Sequence, residues 1–202
     1  MSSPVHLILA SASPRRAELL RAAGIEFDVI PADVDETMDP EETPDGYVRR
    51  VAQVKAEAVT LRAPGLSILG ADTVVIIDNQ VLGKPSNEAA AGGMLRLLSG
   101  REHVVMTAVC LINQAGHHVH EDGSKRIQTG VARTTVEFAP LTDREIDAYI
   151  ASGEPMGKAG AYAIQGLASR FVTRIDGSYS NVVGLPVALV WDLCKSAGLL
   201  IS

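Results

Sequence analysis

An aspartate stands inside a long and strongly apolar stretch of this sequence. Residues 66–78, LSILGADTVVIID, predict a buried strand, and Asp72 lies near its middle. A carboxylate on a buried strand costs free energy unless it is paired, hydrogen-bonded or bound to a metal ion. The position therefore favours a functional role for Asp72 over a purely structural one.

A second group with chemical potential lies near the N-terminus, where two arginines, Arg15 and Arg16, follow a turn of small residues. The apolar run Val5–Ala10 predicts a buried strand, and Ser13-Pro14 predicts a helix that is capped by the serine hydroxyl and runs through Ala23. Free N–H groups and the positive end of the helix dipole would face this turn, where cations are disfavoured. The two arginines indicate either a bound anion such as a phosphate or an ordinary cap with solvated side chains.

Acidic and basic residues on the next two segments extend this set. The acidic segment 33–36, DVDE, follows a predicted strand, Glu26–Pro31, and it suits either a divalent cation or a solvated loop. Thr43-Pro44 starts a helix on which Lys55 lies on or beside the apolar stripe. That lysine either extends to water or reaches into a cleft beside the N-terminal turn.

Two further segments carry candidate ligand contacts. Asn79-Gln80 predicts a hairpin turn, after which Lys84 returns near Asp72. The lysine does not belong to a phosphate-binding P-loop, because Pro85 follows it and the upstream glycine of that motif is missing. The glycine-rich segment 157–166 would let the backbone approach a ligand closely.

The elements that must position these residues alternate between strands and helices, which predicts an α/β fold. Three further helices are predicted: one from a Ser86 cap through Leu98, one through Ala151 with a Thr142–Glu145 capping box, and a last one that contains Trp191. Three further strands are predicted at His103–Ile112, Ala132–Phe138 and Phe171–Ile175. No repeat or linker interrupts the 202 residues, so we expect a single compact unit.

Composition narrows the functional classes. The net charge of −6 and an aromatic content of 4% argue against a nucleic-acid-binding protein, and therefore against a DNA-binding regulator. Cys110 and Cys194 lack the spacing of metal ligands and are interpreted as buried thiols of a cytoplasmic protein. No signal peptide is expected, and no run approaches the ~18 apolar residues that span a membrane.

Five motifs in a fixed order then resemble a known family. They are SASPRR at 11–16, GADTVV at 70–75, GKP at 83–85, KAGAYAIQG at 158–166 and GSYSNVVGLP at 177–186. Together they resemble the Maf family of nucleoside triphosphate pyrophosphatases over nearly the whole chain. The resemblance implies an elongated mixed β-sheet flanked by helices, similar to inosine triphosphate pyrophosphatases. It also implies one domain over residues 1–202, with two lobes, a central cleft and no linker.

The resemblance also implies a reaction and the residues that serve it. A nucleoside triphosphate and water give the monophosphate and pyrophosphate, with Mg²⁺ or Mn²⁺ as cofactor. Asp72 matches the proton acceptor, and it could equally be a metal ligand. Lys55 and Lys84 match catalytic cleft residues. Glu36 matches a cleft residue that would share the metal with Asp72, although Asp35 could take its place.

The family divides by substrate, and this chain resembles the branch that acts on dTTP and UTP. The resemblance associates Arg15, Thr73 and Gln165 with specificity, and Ser13 with substrate binding. The Gln165 amide offers a donor for O4 and an acceptor for N3–H of uracil or thymine. Cytosine reverses that pattern and a flipped amide could follow it, so the discrimination requires something else to hold the amide.

Other interpretations remain open at this point. One is the variant of the enzyme that is specific for 7-methyl-GTP. Another is a nucleotide-binding regulator of cell division or septum formation without turnover. The expected partner is a nucleoside triphosphate substrate, with no nucleic acid, no membrane and a possible homodimer.

Overall fold

A computed structural model describes residues 7–114 and 126–199 of the chain, and its central feature is a seven-stranded mixed β-sheet flanked by helices. The strands are β1 Leu7–Leu9, β2 Phe27–Val29, β3 Ser67–Ile77, β4 Gln80–Leu82, β5 Glu102–Asn113, β6 Arg126–Phe138 and β7 Val172–Asp176. The helices are α1 Pro14–Ala22, α2 Pro44–Thr60, α3 Glu88–Leu98, α4 Asp143–Ala151, α5 Tyr179–Val183 and α6 Val187–Ser196. The predicted α/β class with a mixed sheet is confirmed.

The strand order in the sheet is β2-β1-β3-β5-β6-β7, and β4 pairs with β3. Strand β1 is parallel to both of its neighbours, with Ile8 opposite Asp28 on one side and opposite Ile68 on the other. Strands β3 and β4 form an antiparallel hairpin, and β6 and β7 also pair antiparallel, with α4 between them along the chain. Parallel strands need crossover helices, which explains why α1 and α2 separate β1, β2 and β3 along the chain.

The chain divides into two compact units. The first contains the described residues of Met1–Asp72, Thr107–Ala132 and Gly184–Ser202, and the second consists of Thr73–Met106 and Arg133–Val183. The boundary within β3 falls between Asp72 and Thr73.

The core of the first unit is aliphatic, as the low aromatic content predicts. Leu9 and Leu69 from neighbouring strands are fully buried with Leu20 of α1 and Val190 of α6. Both cysteines are buried free thiols, which confirms the expectation for Cys110 and Cys194.

The core of the second unit contains a cluster of aromatic rings. Phe138 packs edge-on against His103 and Tyr162, with ring centroids 5.1 Å and 4.9 Å away. Tyr149 packs in the same manner against Phe171 at 5.3 Å. Such edge-to-face pairs add stability beyond the area that they bury. This cluster therefore anchors the long loop that follows α4.

Several element boundaries differ from the sequence prediction by one residue. Asn87, not Ser86, caps α3, because its side chain accepts a hydrogen bond from the Ala90 N–H at 2.8 Å. The turn between β3 and β4 is formed by Asp78-Asn79, which adopt positive φ angles of 49° and 61°. The capping box of α4 is confirmed, with both reciprocal bonds between Thr142 and Glu145 present.

The described helices include none that is long and apolar enough to cross a membrane. The longest helix, α2, has 17 residues and carries several charged side chains.

Candidate active site

Strand β3 and helix α2 approach each other unusually closely at Gly70. A Cβ atom at this position would meet the Ala52 carbonyl oxygen and would lie 2.9 Å from Ala56 N and 3.0 Å from Ala56 Cβ. Only glycine allows this backbone contact. Because the strand and the helix are in contact here, Lys55 of α2 lies beside Asp72 of β3.

Lys55 bridges two carboxylates in the first unit. Its Nζ lies 2.8 Å from Asp72 Oδ1 and 2.9 Å from Glu36 Oε1. The side chains of Lys55 and Asp72 are only 9% and 8% exposed, whereas that of Glu36 is 37% exposed. The structure thus brings together three of the residues that the sequence singled out, and it meets the requirement that a buried carboxylate be paired.

Asp35 and Glu36, the two alternatives in the acidic segment, make different contacts. Asp35 is exposed, and its Oδ1 accepts a hydrogen bond from the Thr37 N–H at 2.8 Å, an arrangement typical of a loop. Glu36 is the residue of this segment that reaches Lys55.

Two side chains of α2 hold the acidic loop, and sequence reasoning missed both. The Tyr47 hydroxyl donates to the Glu36 carbonyl oxygen at 2.9 Å, and Arg50 donates to the Thr37 carbonyl oxygen at 3.0 Å. Burial, together with the nearby charges of Asp72 and Glu36, raises the pKa of Tyr47 to about 12, so the hydroxyl remains a donor at neutral pH. Tyr47 lies four and eight residues before positions 51 and 55, so this spacing placed it on the helical face of Lys55 and could have identified it from the sequence.

Arg16 differs from the sequence expectation of an anion-binding or solvated arginine. Its Nε donates to the Gly184 carbonyl oxygen at 2.8 Å, and its Nη1 donates to the Ala71 carbonyl oxygen at 2.7 Å and to Ser11 Oγ at 3.1 Å. Burial lowers the pKa of Arg16, and the charge of Asp72 acts in the opposite direction. The buried guanidinium therefore fixes the strand at the residue that precedes Asp72.

The other two candidates near the N-terminus, Ser13 and Arg15, are less buried than Arg16. Arg15 is half-buried, and this burial lowers its pKa while Glu18 raises it. Ser13 is also half-buried, and the prediction that its hydroxyl caps α1 is wrong. Instead the Ser13 N–H donates a hydrogen bond to Ser11 Oγ at 3.2 Å, so the side chain of Ser11 stabilises the turn.

The second unit holds the three remaining candidates, of which Thr73 and Lys84 lie on the β3–β4 hairpin. Thr73 is half-buried and Lys84 is exposed. The hairpin register pairs Val75 with Leu82, so the last paired residues lie two positions from Thr73 and two from Lys84. The Gly160 N–H donates to the Gly83 carbonyl oxygen at 3.1 Å, which ties the glycine-rich loop to the neighbour of Lys84.

Gln165 is exposed on that glycine-rich loop. It lies within a tight turn that the Gly166 N–H closes on the Ala163 carbonyl oxygen at 3.0 Å. Earlier in the loop, Gly160 has a φ of 66°, and a Cβ there would lie 2.8 Å from Val75 Cγ2. The loop therefore packs against β3 at a position that no larger residue could occupy.

The donor set of Glu36 and Asp72 is compatible with a divalent cation. In residues 7–114 and 126–199, no three or more His, Cys, Asp or Glu side chains gather into a metal-binding group. Mg²⁺, however, commonly binds through one or two carboxylates together with substrate phosphates and water. Glu36 and Asp72 both contact the Lys55 ammonium group, so two carboxylates lie close enough together to match this kind of Mg²⁺ binding.

Comparison with protein families finds a match to the family described as Maf-like protein over residues 6–197. Among curated proteins, the chain is 50% identical to the dTTP/UTP pyrophosphatase of Koribacter versatilis, covering 96% of this chain and 95% of that protein. It is 48% identical to the protein of the same name from Geotalea uraniireducens, covering 98% of both chains. A third protein of that name, from Syntrophus aciditrophicus, is 47% identical over 95% of this chain and 90% of its own length.

Two solved structures show a weaker likeness. The Staphylococcus aureus Ham1 protein matches with a TM-score of 0.48 and 12% identity, covering 95% of this chain and 98% of that one. A Vibrio cholerae protein matches with a TM-score of 0.45 and 17% identity, covering 96% and 98%. Neither likeness carries weight beside the family match.

Proposed function

This chain belongs to the Maf family, and we propose that it hydrolyses dTTP and UTP to the nucleoside monophosphate and pyrophosphate. The relatives named dTTP/UTP pyrophosphatase, which share about half of their residues with it, support that substrate choice. The observation that carries the proposal is the buried Asp72 carboxylate, which Lys55 holds in an ion pair at 2.8 Å.

Hydrolysis between the α and β phosphates requires an activated water molecule and a stabilised leaving group. Asp72 in its ion pair carries the negative charge that a general base or a metal ligand needs. Arg16 keeps the Asp72 segment of β3 in place through the Ala71 carbonyl oxygen. In our proposal the carboxylate of Asp72 is the catalytic group, and it acts either as the general base or as a metal ligand.

The cations of the site would receive the triphosphate. Lys55, Lys84 and Arg15 are assigned to charge that develops on the pyrophosphate leaving group, with Arg15 able to bind two oxygens at once. Ser13, in the turn next to Arg15, is assigned to substrate binding. The exposed position of Lys84 supports this role, since an exposed ammonium is accessible to a phosphate.

A divalent cation, Mg²⁺ or Mn²⁺, completes the proposal, with Glu36 and Asp72 as its protein ligands. Such a cation would supply charge neutralisation for the phosphate oxygens. Lys55 would then contact the same two carboxylates from the protein side, as it does in the structure.

Base recognition is assigned to Gln165, with Thr73 and Arg15 as further specificity residues. The amide of Gln165 matches the O4 and N3–H edge of uracil and thymine. Thymine is itself a 5-methylated uracil, so we include other 5-methylated pyrimidine analogues among the substrates.

The remaining expectations complete the proposal. We take the two units as one Maf-like domain over residues 1–202, located in the cytoplasm. We expect it to act on a small nucleotide without binding nucleic acid, and a homodimer is compatible with this role.

The test is a panel of dTTP, UTP, 5-methyl-UTP, CTP and 7-methyl-GTP, each with Mg²⁺ or Mn²⁺. Pyrophosphate and the nucleotide product are quantified separately. We expect equal amounts of pyrophosphate and monophosphate, with dTTP and UTP hydrolysed best. Release of single phosphate or a preference for 7-methyl-GTP would contradict the proposal. Nucleotide binding without any product would favour the regulatory alternative.

A further inference from the structure

A carboxylate in the second unit, which has no role in the proposed chemistry, holds the loop that carries Gln165. Glu154 Oε2 accepts a hydrogen bond from the Leu167 N–H at 3.0 Å, and Oε1 accepts from the Ala168 N–H at 3.3 Å. These two N–H groups lie two and three residues after Gln165. The carboxylate therefore fixes the backbone on the C-terminal side of the glutamine.

Tyr149 extends the same contact to the other side of Gln165. Its hydroxyl donates to Glu154 Oε1 at 2.9 Å and accepts a hydrogen bond from the Ala163 N–H at 3.2 Å. Ala163 lies two residues before Gln165. Tyr149 is fully buried and its ring packs on Phe171, so the hydroxyl is held rigidly. The Tyr149–Glu154 pair thus anchors both ends of a five-residue segment whose centre is Gln165.

The absence of a side chain at Gly166 makes this contact possible. A Cβ atom there would lie 2.5 Å from both Cδ and Oε1 of Glu154 and would also clash with Oε2. The φ angle of Gly166 is −108°, which any residue can adopt. The close approach of the carboxylate therefore requires glycine at this position.

The charge state of Glu154 suits an acceptor of several hydrogen bonds. Burial raises its pKa, but the hydrogen bonds from Leu167, Tyr149 and Ala168 lower it by more, so that the pKa lies below its usual value. At neutral pH the group is therefore an ionised carboxylate that can only accept hydrogen bonds. Glutamine at this position would present an NH₂ group to at least one of the three donors.

Anchoring of this kind answers a requirement of base recognition. A glutamine amide matches uracil in one orientation and cytosine in the other, and the Gln165 side chain is exposed. Its position and the angle at which it meets a base then depend on the backbone that carries it. A loosely held amide can follow either pattern, whereas a fixed one leaves polar groups unpaired with the wrong base.

We propose that Glu154, through Tyr149, is a positioning residue that fixes Gln165 and thereby sets discrimination of uracil and thymine against cytosine. This inference rests on the proposed function, in which Gln165 reads the base. It predicts that the loss of the carboxylate changes selectivity more than it changes catalytic capacity.

The experiment compares kcat and KM for UTP and CTP in the wild type, Glu154→Gln and Tyr149→Phe. In Glu154→Gln we expect the UTP-to-CTP ratio of kcat/KM to fall by about tenfold or more, mainly through KM, because polar complementarity controls this discrimination. Tyr149→Phe retains the ring packing and should lower the ratio less. Adding Glu154→Gln to Gln165→Ala should lower the ratio no further, because the amide to be positioned is already gone.

The control is Glu102→Gln, which removes a carboxylate of the same unit from an exposed ion pair with Arg174 and should leave the ratio unchanged. An unchanged ratio in both Glu154→Gln and Tyr149→Phe, with equal losses for all nucleotides, would reduce Glu154 to a structural residue and overturn the inference. If Glu154→Gln does not fold, the ratio in Tyr149→Phe decides.

Failure of the proposed function looks different, because the wild type would then release no pyrophosphate from UTP or dTTP. In that case the same variants are compared by calorimetric binding of UTP and CTP. A preference of the wild type for UTP that Glu154→Gln loses would sustain the positioning role. A wild type that binds both nucleotides equally would overturn it.

Discussion

Replacement of Lys55 by methionine tests whether the Glu36–Lys55–Asp72 cluster is as tightly coupled as its distances indicate. Charges 2.8 Å apart attract by about 6 kcal/mol at an effective dielectric constant of about 20, before desolvation is subtracted. Removing one partner of a buried pair leaves the other charge uncompensated and typically costs about 3–5 kcal/mol. Glu36 is 37% exposed and can regain water, whereas Asp72 at 8% cannot. We therefore expect a loss near the lower limit, about 3 kcal/mol.

The assay is urea unfolding at pH 7 without nucleotide or metal, so that ligand binding does not contribute to the free energy of unfolding. The matched control is Arg49→Met on the same helix, which removes an exposed ion pair with Asp45 and should cost less than about 1 kcal/mol. The double variant Lys55→Met/Asp72→Asn should be more stable than the two single losses predict, by about 1–3 kcal/mol. A Lys55→Met loss no larger than that of Arg49→Met would refute the reasoning.

Two further predictions concern buried groups outside the ion cluster. Arg16→Lys leaves at least one of the Ala71 and Gly184 carbonyl oxygens without its donor. Since an unsatisfied buried polar group costs about 1–3 kcal/mol, we expect the free energy of unfolding in urea to fall by about 2 kcal/mol. A decrease below about 0.5 kcal/mol would contradict this role of Arg16. Burial lowers the pKa of His103 to about 4, so the folded state remains neutral there while the unfolded state binds a proton below its usual pKa of 6.5. The free energy of unfolding should therefore fall by up to about 3 kcal/mol as the pH drops from 6.5 to 4. His103→Gln should reduce this pH dependence relative to the wild type. Equal pH dependence of stability in the two proteins would contradict the prediction.

The sequence was most informative where a single residue contradicts its surroundings. Asp72 stands out because a carboxylate interrupts an apolar strand, and Lys55 because an ammonium lies on an apolar helical stripe. The structure pairs these two residues with each other. Their pairing could not be derived from spacing alone, because it depends on the close packing of β3 on α2 that Gly70 allows.

Local arguments failed where the partner lies far along the chain. The helix-dipole argument treats Arg16 as a cation near a helix N-terminus, yet two of its partners are carbonyl oxygens 55 and 168 residues away. Glu154 was missed for the same reason, since its contacts with residues 167 and 168 form only when the loop folds back. The start of α3 was misplaced by one residue because Ser86 and Asn87 are both favourable N-cap residues, and the sequence alone does not decide between them.

The most direct test of the account is the turnover of dTTP by Asp72→Asn, measured as pyrophosphate release beside calorimetric binding of the same nucleotide. Asparagine keeps the size of the side chain but removes the charge that the proposed base or metal ligand requires. We expect turnover to be abolished while dTTP still binds. Turnover at the wild-type rate would show that Asp72 has only a structural role, and the proposed mechanism would then be wrong.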